Sequence, residues 1–280
     1  MADLHINDNK GWKYKWSEYE DSIIKKYYPQ NGFEEVQKYL PNRNKGAIQS
    51  RASKLGIRFL SYDKTYFDII DSPTKAYWLG FLYADGYVTT NNRWGVELSL
   101  NDYTHIEKLV KELSYNGNIK TRERNNIQSC SIQINNSHMY NSLVKNGVLM
   151  NKTDKLKFPS EIILKNTYFN HFIRGFFDGD GTVCCGHRNK EVNFVCKSNN
   201  FITSLLEIFK KNNINFTYYI NKRDDLPTIR IYKTDEIRMF YDYLYKDSDE
   251  TNRLERKYIK MTQLLSNEGG EFANCGWLWI

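Results

Sequence analysis

Two stretches of the chain, 95 residues apart, carry the same unusual arrangement of acids and glycines: Trp78-Leu79-Gly80-Phe81-Leu82-Tyr83-Ala84-Asp85-Gly86 and Ile173-Arg174-Gly175-Phe176-Phe177-Asp178-Gly179-Asp180-Gly181. Each reads as an apolar helix that stops at an Asp-Gly pair and runs into a strand. A carboxylate at a helix C-terminus faces the negative end of the helix dipole, where Lys or Arg is favoured. Gly86 and Gly181 are expected to end the helices by taking the left-handed conformation. Nothing local accounts for Asp85 and Asp180. Two such acids brought together would repel each other, and bound cations are the natural compensation. The pattern therefore points to a metal site assembled from two halves.

Spacing within each helix supports that assembly. Small residues recur four apart, as Gly80 and Ala84, then Gly175 and Gly179. Residues i and i+4 share a helix face, so each helix has one flat stripe against which a second backbone can approach closely. Packed stripe to stripe, the two helices would end side by side, with Asp85 next to Asp180.

The longer strings AYWLGFLYADGYV and FIRGFFDGDGTV resemble the two signature helices of the single-chain LAGLIDADG homing endonucleases, and the resemblance spans roughly residues 73–265. It implies an α+β fold in which two pseudo-symmetric αββαββα halves form a saddle on double-stranded DNA. It also implies site-specific cleavage of both strands with short 3′ overhangs, and divalent metal, Mg2+ or Mn2+, on the acid before the last glycine of each motif. Those acids are Asp85 and Asp180, with the carbonyls of Ala84 and Gly179 completing the shell. Divalent ions held by carboxylates can supply the activated water, the oriented phosphate and the charge stabilisation that phosphodiester hydrolysis needs. The family also places a lysine beside each site. Lys152, in LMNKTDKLKFP, and Lys257, in LERKYIKM, stand in matching contexts, with Lys155 and Lys157 competing in the first half. Two departures occur in the first motif: Trp78 replaces the usual opening leucine, and Tyr83 stands where the second motif has Asp178. His138, His171 and His187 have no matched partner between halves and read as surface or structural.

The elements that must position these residues also repeat. VELSLNDYTHIEKLVKELSYNGNI aligns with VNFVCKSNNFITSLLEIFKKNNINF, and SCSIQI aligns with PTIRIY. Each half reads as motif helix, two strands, helix, two strands, helix. The strands alternate: Val96, Leu98 and Leu100 oppose Glu97 and Ser99, and Ile229 and Ile231 oppose Thr228, Arg230 and Tyr232. Such sheets are buried on one face and open on the other. With Lys120, Arg122, Arg124, Gln133, Asn193, Lys197 and Tyr219, the open faces would make a polar and basic floor. Two-stranded ribbons fit the major groove, where Arg, Gln and Asn distinguish bases by bidentate hydrogen bonds.

Ahead of the repeat lies a small helical unit. Ser17-Glu18-Tyr19-Glu20 reads as a capping box, opening a helix expected to end near Tyr28 at Pro29. Further helices are expected at Phe33–Leu40 and Asn44–Leu55, the latter closed by Gly56. Residues 16–57 resemble a Myb/SANT-like helix-turn-helix domain, which implies a three-helix DNA-binding bundle. On its last helix Gln49 and Arg51 could reach base edges, and Lys45 and Lys54 could meet phosphates. The expected division is 1–57 for this domain, 58–72 for a linker, 73–170 and 171–265 for the two halves, and 266–280 for a tail.

Composition sets outer limits. Residues 1–60 hold 11 Lys or Arg against 7 Asp or Glu, a surplus of four within the net charge of +7, which permits binding to a polyanion. No apolar run approaches membrane length, and the polar start lacks a signal-peptide core. A soluble protein in a reducing compartment is expected, cytoplasmic in a bacterial or phage-infected cell, or organellar. The five cysteines form no regular framework, and Cys184, Cys185, His187 and Cys196 lack zinc-site spacing. The partners expected are a long duplex DNA site and an intron RNA, with the protein monomeric. A maturase or DNA-binding regulator on the same fold is the alternative, disfavoured by the presence of both acids. A self-splicing intein is disfavoured by Met1 at the start and the absence of a His-Asn ending.

Overall fold

The computed structural model describes residues 15–185, 190–222 and 225–266. His187 and the tail beyond Ser266 lie outside the described residues. The chain divides into two compact units between Ser61 and Tyr62.

The first unit contains α1 (Glu18–Tyr39) and α2 (Lys45–Lys54). The capping box forms: Glu20 N donates to Ser17 Oγ at 3.2 Å, and Ser17 N donates to Glu20 Oε2 at 2.9 Å. The expected stop at Pro29 does not occur. Pro29 lies inside α1, and the break comes at Gly32, whose φ of 69° and ψ of −160° kink the helical run. The Pro29 carbonyl accepts from Leu60 N at 2.7 Å, so the polar group near the kink is satisfied by a neighbouring segment. Ile23, Ile24, Val36, Ile48 and Ala52 form the core, with Trp16, Phe33 and Leu55 against it.

The second unit is a mixed α+β structure with two antiparallel four-stranded sheets. Its first half runs α3 (Pro73–Ala84), β1 (Gly86–Thr89), β2 (Arg93–Ser99), α4 (Tyr103–Glu112), β3 (Lys120–Arg124), β4 (Ile127–Asn135) and α5 (Ser137–Lys145). The second half runs α6 (Phe169–Asp180), β5 (Thr182–Cys185), β6 (Lys190–Val195), α7 (Asn199–Lys211), β7 (Thr217–Asn221), β8 (Leu226–Ile231) and α8 (Thr234–Tyr245), followed by α9 (Glu255–Ser266). The sheet orders match, β1-β2-β4-β3 and β5-β6-β8-β7. Alternation along the strands buries Val96, Leu98, Ile132 and Ile134 in one half and Val192, Phe194, Ile229 and Ile231 in the other.

One expectation about this unit fails for a steric reason. Neither Gly86 nor Gly181 is left-handed; Gly181 has φ −73° and ψ 153°. Glycine is needed there because the strand leaves the helix so sharply that a Cβ on Gly86 would lie 2.6 Å from Leu82 O, and one on Gly181 2.6 Å from Phe177 O. Within the stretch expected as a linker, the residues from Tyr62 on belong to this unit. Tyr62, Tyr66, Phe67 and Ile70 are buried. Asp63 N donates to Leu113 O at 2.8 Å, and Asn146 Nδ2 donates to Phe67 O at 2.6 Å. Apolar side chains at 62, 66, 67 and 70 fasten the segment to the first half.

Candidate metal and nucleic-acid site

Helices α3 and α6 pack at backbone contact. A Cβ on Gly80 would collide with the Phe172 carbonyl, and one on Gly175 with the Tyr77 carbonyl. At the end of the stripe, a Cβ on Gly179 would collide with Ala84 Cβ and lie 3.0 Å from Asp85 Oδ2. The small residues thus let the helices close, and closure sets the Asp85 carboxylate against the residue preceding Asp180. Asp85 is half-buried and Asp180 opens to solvent. Burial and then the Asp180 charge push the Asp85 carboxyl up to about 6. Desolvation by the surrounding protein also raises the exposed Asp180, against the attraction of Lys152 and Lys257.

Both candidate lysines reach the ends of the motif helices. Lys152 Nζ donates to Leu82 O at 3.0 Å and to Gly86 O at 2.5 Å. Lys257 Nζ donates to Phe177 O at 2.7 Å and to Gly179 O at 3.1 Å. These are the cations the helix dipoles lacked in the local sequence, delivered from 66 to 80 residues away. Burial lowers both ammonium groups to about 8, opposed by the carboxylates. The charge coupling crosses between halves: Lys257 acts on Asp85 more than Lys152 does, and Lys152 acts on Asp180 more than Lys257 does. Lys155 and Lys157 are exposed. The Gly179 carbonyl, expected in the metal shell, accepts from the Lys257 ammonium.

The oxygen donors fit a hard divalent cation. Among the described residues no cluster of three or more His, Cys, Asp or Glu side chains could hold a metal. Two carboxylates and a carbonyl such as that of Ala84 leave most positions to water and substrate, which suits Mg2+. Protonation competes with a cation at Asp85, because the raised affinity for a proton is also the electrostatic drive for binding positive charge.

The open faces of the sheets differ. Lys120, Arg122 and Arg124 are all exposed on β3, opposite Ser131, Ser129 and Ile127 of β4. Gln133 is partly exposed and its Nε2 donates to Tyr87 Oη at 3.2 Å. In the second half Thr182, Asn193, Arg230 and Thr217 form one row across the sheet. Arg230 is ion-paired with Glu191, and Asn193 Nδ2 donates to Glu191 Oε1 at 3.3 Å. Lys197 is exposed just past β6. In the first unit Lys45, Gln49 and Lys54 are exposed on α2, while Arg51 is forked onto Asp21, with Nε to Oδ1 at 2.7 Å.

Several groups around the site escaped the sequence reading. Arg256 forks onto Asp102 at 2.7 and 2.9 Å, and Lys108 Nζ donates to Arg253 O at 3.0 Å, both tying α9 or the turn before it to the first half. His105 is buried, its Nε2 3.0 Å from Tyr77 Oη, and burial holds its pKa well below the usual histidine range. Charged residues inside apolar helices, above all Arg174 and Asp178, were the available signal. His138 meets Asp68 at 2.8 Å, and His171 Nδ1 accepts from Arg174 at 3.0 Å.

Among known families, residues 169–245 match the one described as LAGLIDADG-like domain, and residues 74–137 match the WhiA LAGLIDADG-like domain. Among solved structures, the chain is similar to the homing endonuclease I-WcaI bound to its DNA recognition sequence, at 16% identity and a TM-score of 0.50, covering 70% of this chain and 91% of that one. It is similar to the meganuclease I-SmaMI bound to uncleaveable DNA, at 10% identity and a TM-score of 0.50, covering 70% and 88%. No curated protein matches the chain. At these identities the likeness speaks for the fold. Two αββαββα halves, motif helices in backbone contact and two matching LAGLIDADG-like domains establish that the second unit has the LAGLIDADG fold.

Proposed function

We propose that the protein is a site-specific, Mg2+-dependent endonuclease that cuts both strands of duplex DNA. The observation that carries this reading is the convergence of Asp85 and Asp180 at the touching ends of α3 and α6, each helix end also receiving a lysine. Asp85, Asp180 and the Ala84 carbonyl would hold the cation. When bound, Mg2+ or Mn2+ supplies Lewis-acid activation of water and stabilisation of the leaving oxygen. Lys152 and Lys257 stand at the helix ends, where an ammonium can steady phosphate charge as it moves to the leaving group. The floor of Lys120, Arg122, Arg124, Gln133, Asn193, Lys197 and Arg230 would carry the duplex. The two DNA-bound structures to which the fold is similar support that placement.

The N-terminal unit serves in this reading as a Myb/SANT-like helix-turn-helix module on residues 1–57. It presents Lys45, Gln49 and Lys54, and extends the footprint by raising the effective concentration of the linked modules. The halves then divide as 73–170 and 171–265, in a monomer acting where cellular DNA is reached. The resemblance adds short 3′ overhangs and an association with intron homing. A DNA-binding regulator that does not cut is the second reading, favoured by the WhiA-type match over residues 74–137.

Cleavage of a randomised duplex library with Mg2+, beside the Asp180→Asn variant, tests the assignment. Recovered ends sharing one long motif, lost in the variant, are the expected result. Specific binding without cutting by either protein would transfer the assignment to the regulator.

A further inference from the structure

At two buried positions of the motif helices one half is uncharged and the other charged. Where α3 carries Leu79 and Tyr83, α6 carries Arg174 and Asp178, both inaccessible to solvent at 0% and 1% exposure. Residues i and i+4 share a helix face, and this pair faces the segment that joins α8 to α9. Arg174 donates from Nε to Asn252 O at 2.8 Å, from Nη1 to Leu244 O at 2.6 Å and from Nη2 to Asn252 Oδ1 at 2.7 Å. Asp178 accepts at Oδ1 from Tyr245 Oη at 2.9 Å, and at Oδ2 from Tyr77 Oη at 2.9 Å and Leu254 N at 2.7 Å.

Leu254 is the residue from which α9 starts, and its carbonyl accepts from Lys257 N at 3.0 Å and Tyr258 N at 3.1 Å. One residue therefore has its N–H held by Asp178 and its carbonyl engaged by the first turn of α9. A carboxylate at the positive end of that helix is electrostatically favoured. Lys257, three residues on, returns its ammonium to α6 at Phe177 O and Gly179 O. The loop closes on itself: α6 grips the start of α9 with Arg174 and Asp178, and α9 places its lysine at the end of α6.

Buried charged side chains are a poor source of stability, since apolar replacements of similar volume are often as good or better. The first half shows that this fold accepts such replacements, because Leu79 and Tyr83 occupy the same places. There Tyr83 Oη donates to Asn146 O at 2.6 Å, and Lys152 follows a left-handed Asn151 at φ 52° in a short 3-10 turn. In the second half the same places carry charged groups whose hydrogen bonds are directional.

We propose that Arg174 and Asp178 are positioning residues that set Lys257 at its active site, a role with no counterpart for Lys152. The proposal rests on the endonuclease reading only for its effect on cleavage; the placement of Lys257 is measurable without it. A consequence is that loss of the clamp slows one strand cut and leaves the other, so that nicked duplex accumulates.

The test uses the full chain, with Asp178→Asn and the milder Tyr245→Phe, which removes one phenolic donor and keeps the ring. Competitive reductive methylation reports the reactivity of Lys257 relative to Lys152 in the same molecule. Asp178→Asn is expected to raise that ratio about tenfold through local opening of α9, and Tyr245→Phe to raise it by a smaller factor. In strand-resolved cleavage, Asp178→Asn slows one strand on the order of a hundredfold, as expected for a displaced catalytic group. An unchanged Lys257:Lys152 ratio overturns the proposal, as does equal slowing of both strands with both lysines loosened together. If the unaltered protein cuts neither strand, the endonuclease reading fails and the labelling ratio still decides the clamp.

Discussion

The two halves of the LAGLIDADG unit agree along the seam where their motif helices meet and disagree at their sheets. The motif helices meet through Gly80 and Gly175, each closing on a backbone carbonyl of the other. The sheets have the same strand order but present different chemistry. The edge strand of the first offers Lys120, Arg122 and Arg124, all exposed, whereas the same face of the second sheet's edge strand offers Thr217, Tyr219 and Asn221. Arg230, on the strand beside that edge, is held by Glu191. Backbone contact leaves no freedom at the helices, so the repeat is preserved there. An open sheet face imposes no packing constraint, and one fold carries two unlike surfaces.

The sharpest test of the symmetric part is to add one carbon to each helix. Gly80→Ala and Gly175→Ala each drive a Cβ into a carbonyl that cannot move independently of its helix. Each is expected to destabilise the unit by about 3 kcal/mol or more, read from urea unfolding midpoints. Gly46→Ala on α2, where a Cβ meets Asn44 Oδ1 at 3.7 Å, is expected to be stabilising by about 0.5–1 kcal/mol. Unequal losses for Gly80 and Gly175 would break the symmetry claimed for the helix pair.

The asymmetric part predicts a difference in salt response. Arg122→Ala and Arg124→Ala should each weaken DNA binding and reduce the slope of log affinity against log salt by about 1 for each phosphate no longer neutralised. Tyr219→Ala should cost about 1–2 kcal/mol of binding through reduced stacking surface while leaving that slope unchanged. Equal changes in slope at the two sheets, measured by anisotropy titration across salt concentrations, would show the surfaces to be equivalent.

Much of this comparison was legible in the sequence because both copies are present in one chain. The Gly-x-x-x-small stripes, the period-two strands and the repeated order of elements predict the helix pair and both sheets. Lys152 and Lys257 stand out through matched context. What local reading missed is long-range. Pro29 lies inside α1, the break comes three residues later at Gly32, and the Pro29 carbonyl freed there finds Leu60 N. Gly86 and Gly181 are glycines because of a carbonyl one turn back, which a left-handed stop does not describe. Arg51, a candidate base reader, is ion-paired with Asp21, and the Gly179 carbonyl accepts from Lys257. Such pairings between distant residues cannot be read from spacing along one strand or helix.

A smaller effect follows from the acids. The folded pKa of Asp85 is raised from 3.8 to about 6. Between those values the folded state holds the proton and the unfolded state does not, so metal-free stability contributed by Asp85 falls as pH rises from about 4 to about 6. Asp85→Asn should flatten this part of the Tm profile. Added Mg2+ should raise Tm increasingly above pH 6, where the carboxylate is free to bind it.

The central claim is that Asp85 and Asp180, one from each half, jointly create the cation site. Electron paramagnetic resonance of Mn2+ titrated into the full chain with duplex DNA tests it most directly. The expected result is protein-dependent bound Mn2+ that is sharply weakened by Asp85→Asn and by Asp180→Asn, each alone. Undiminished Mn2+ binding in both variants, with the fold intact, would contradict it.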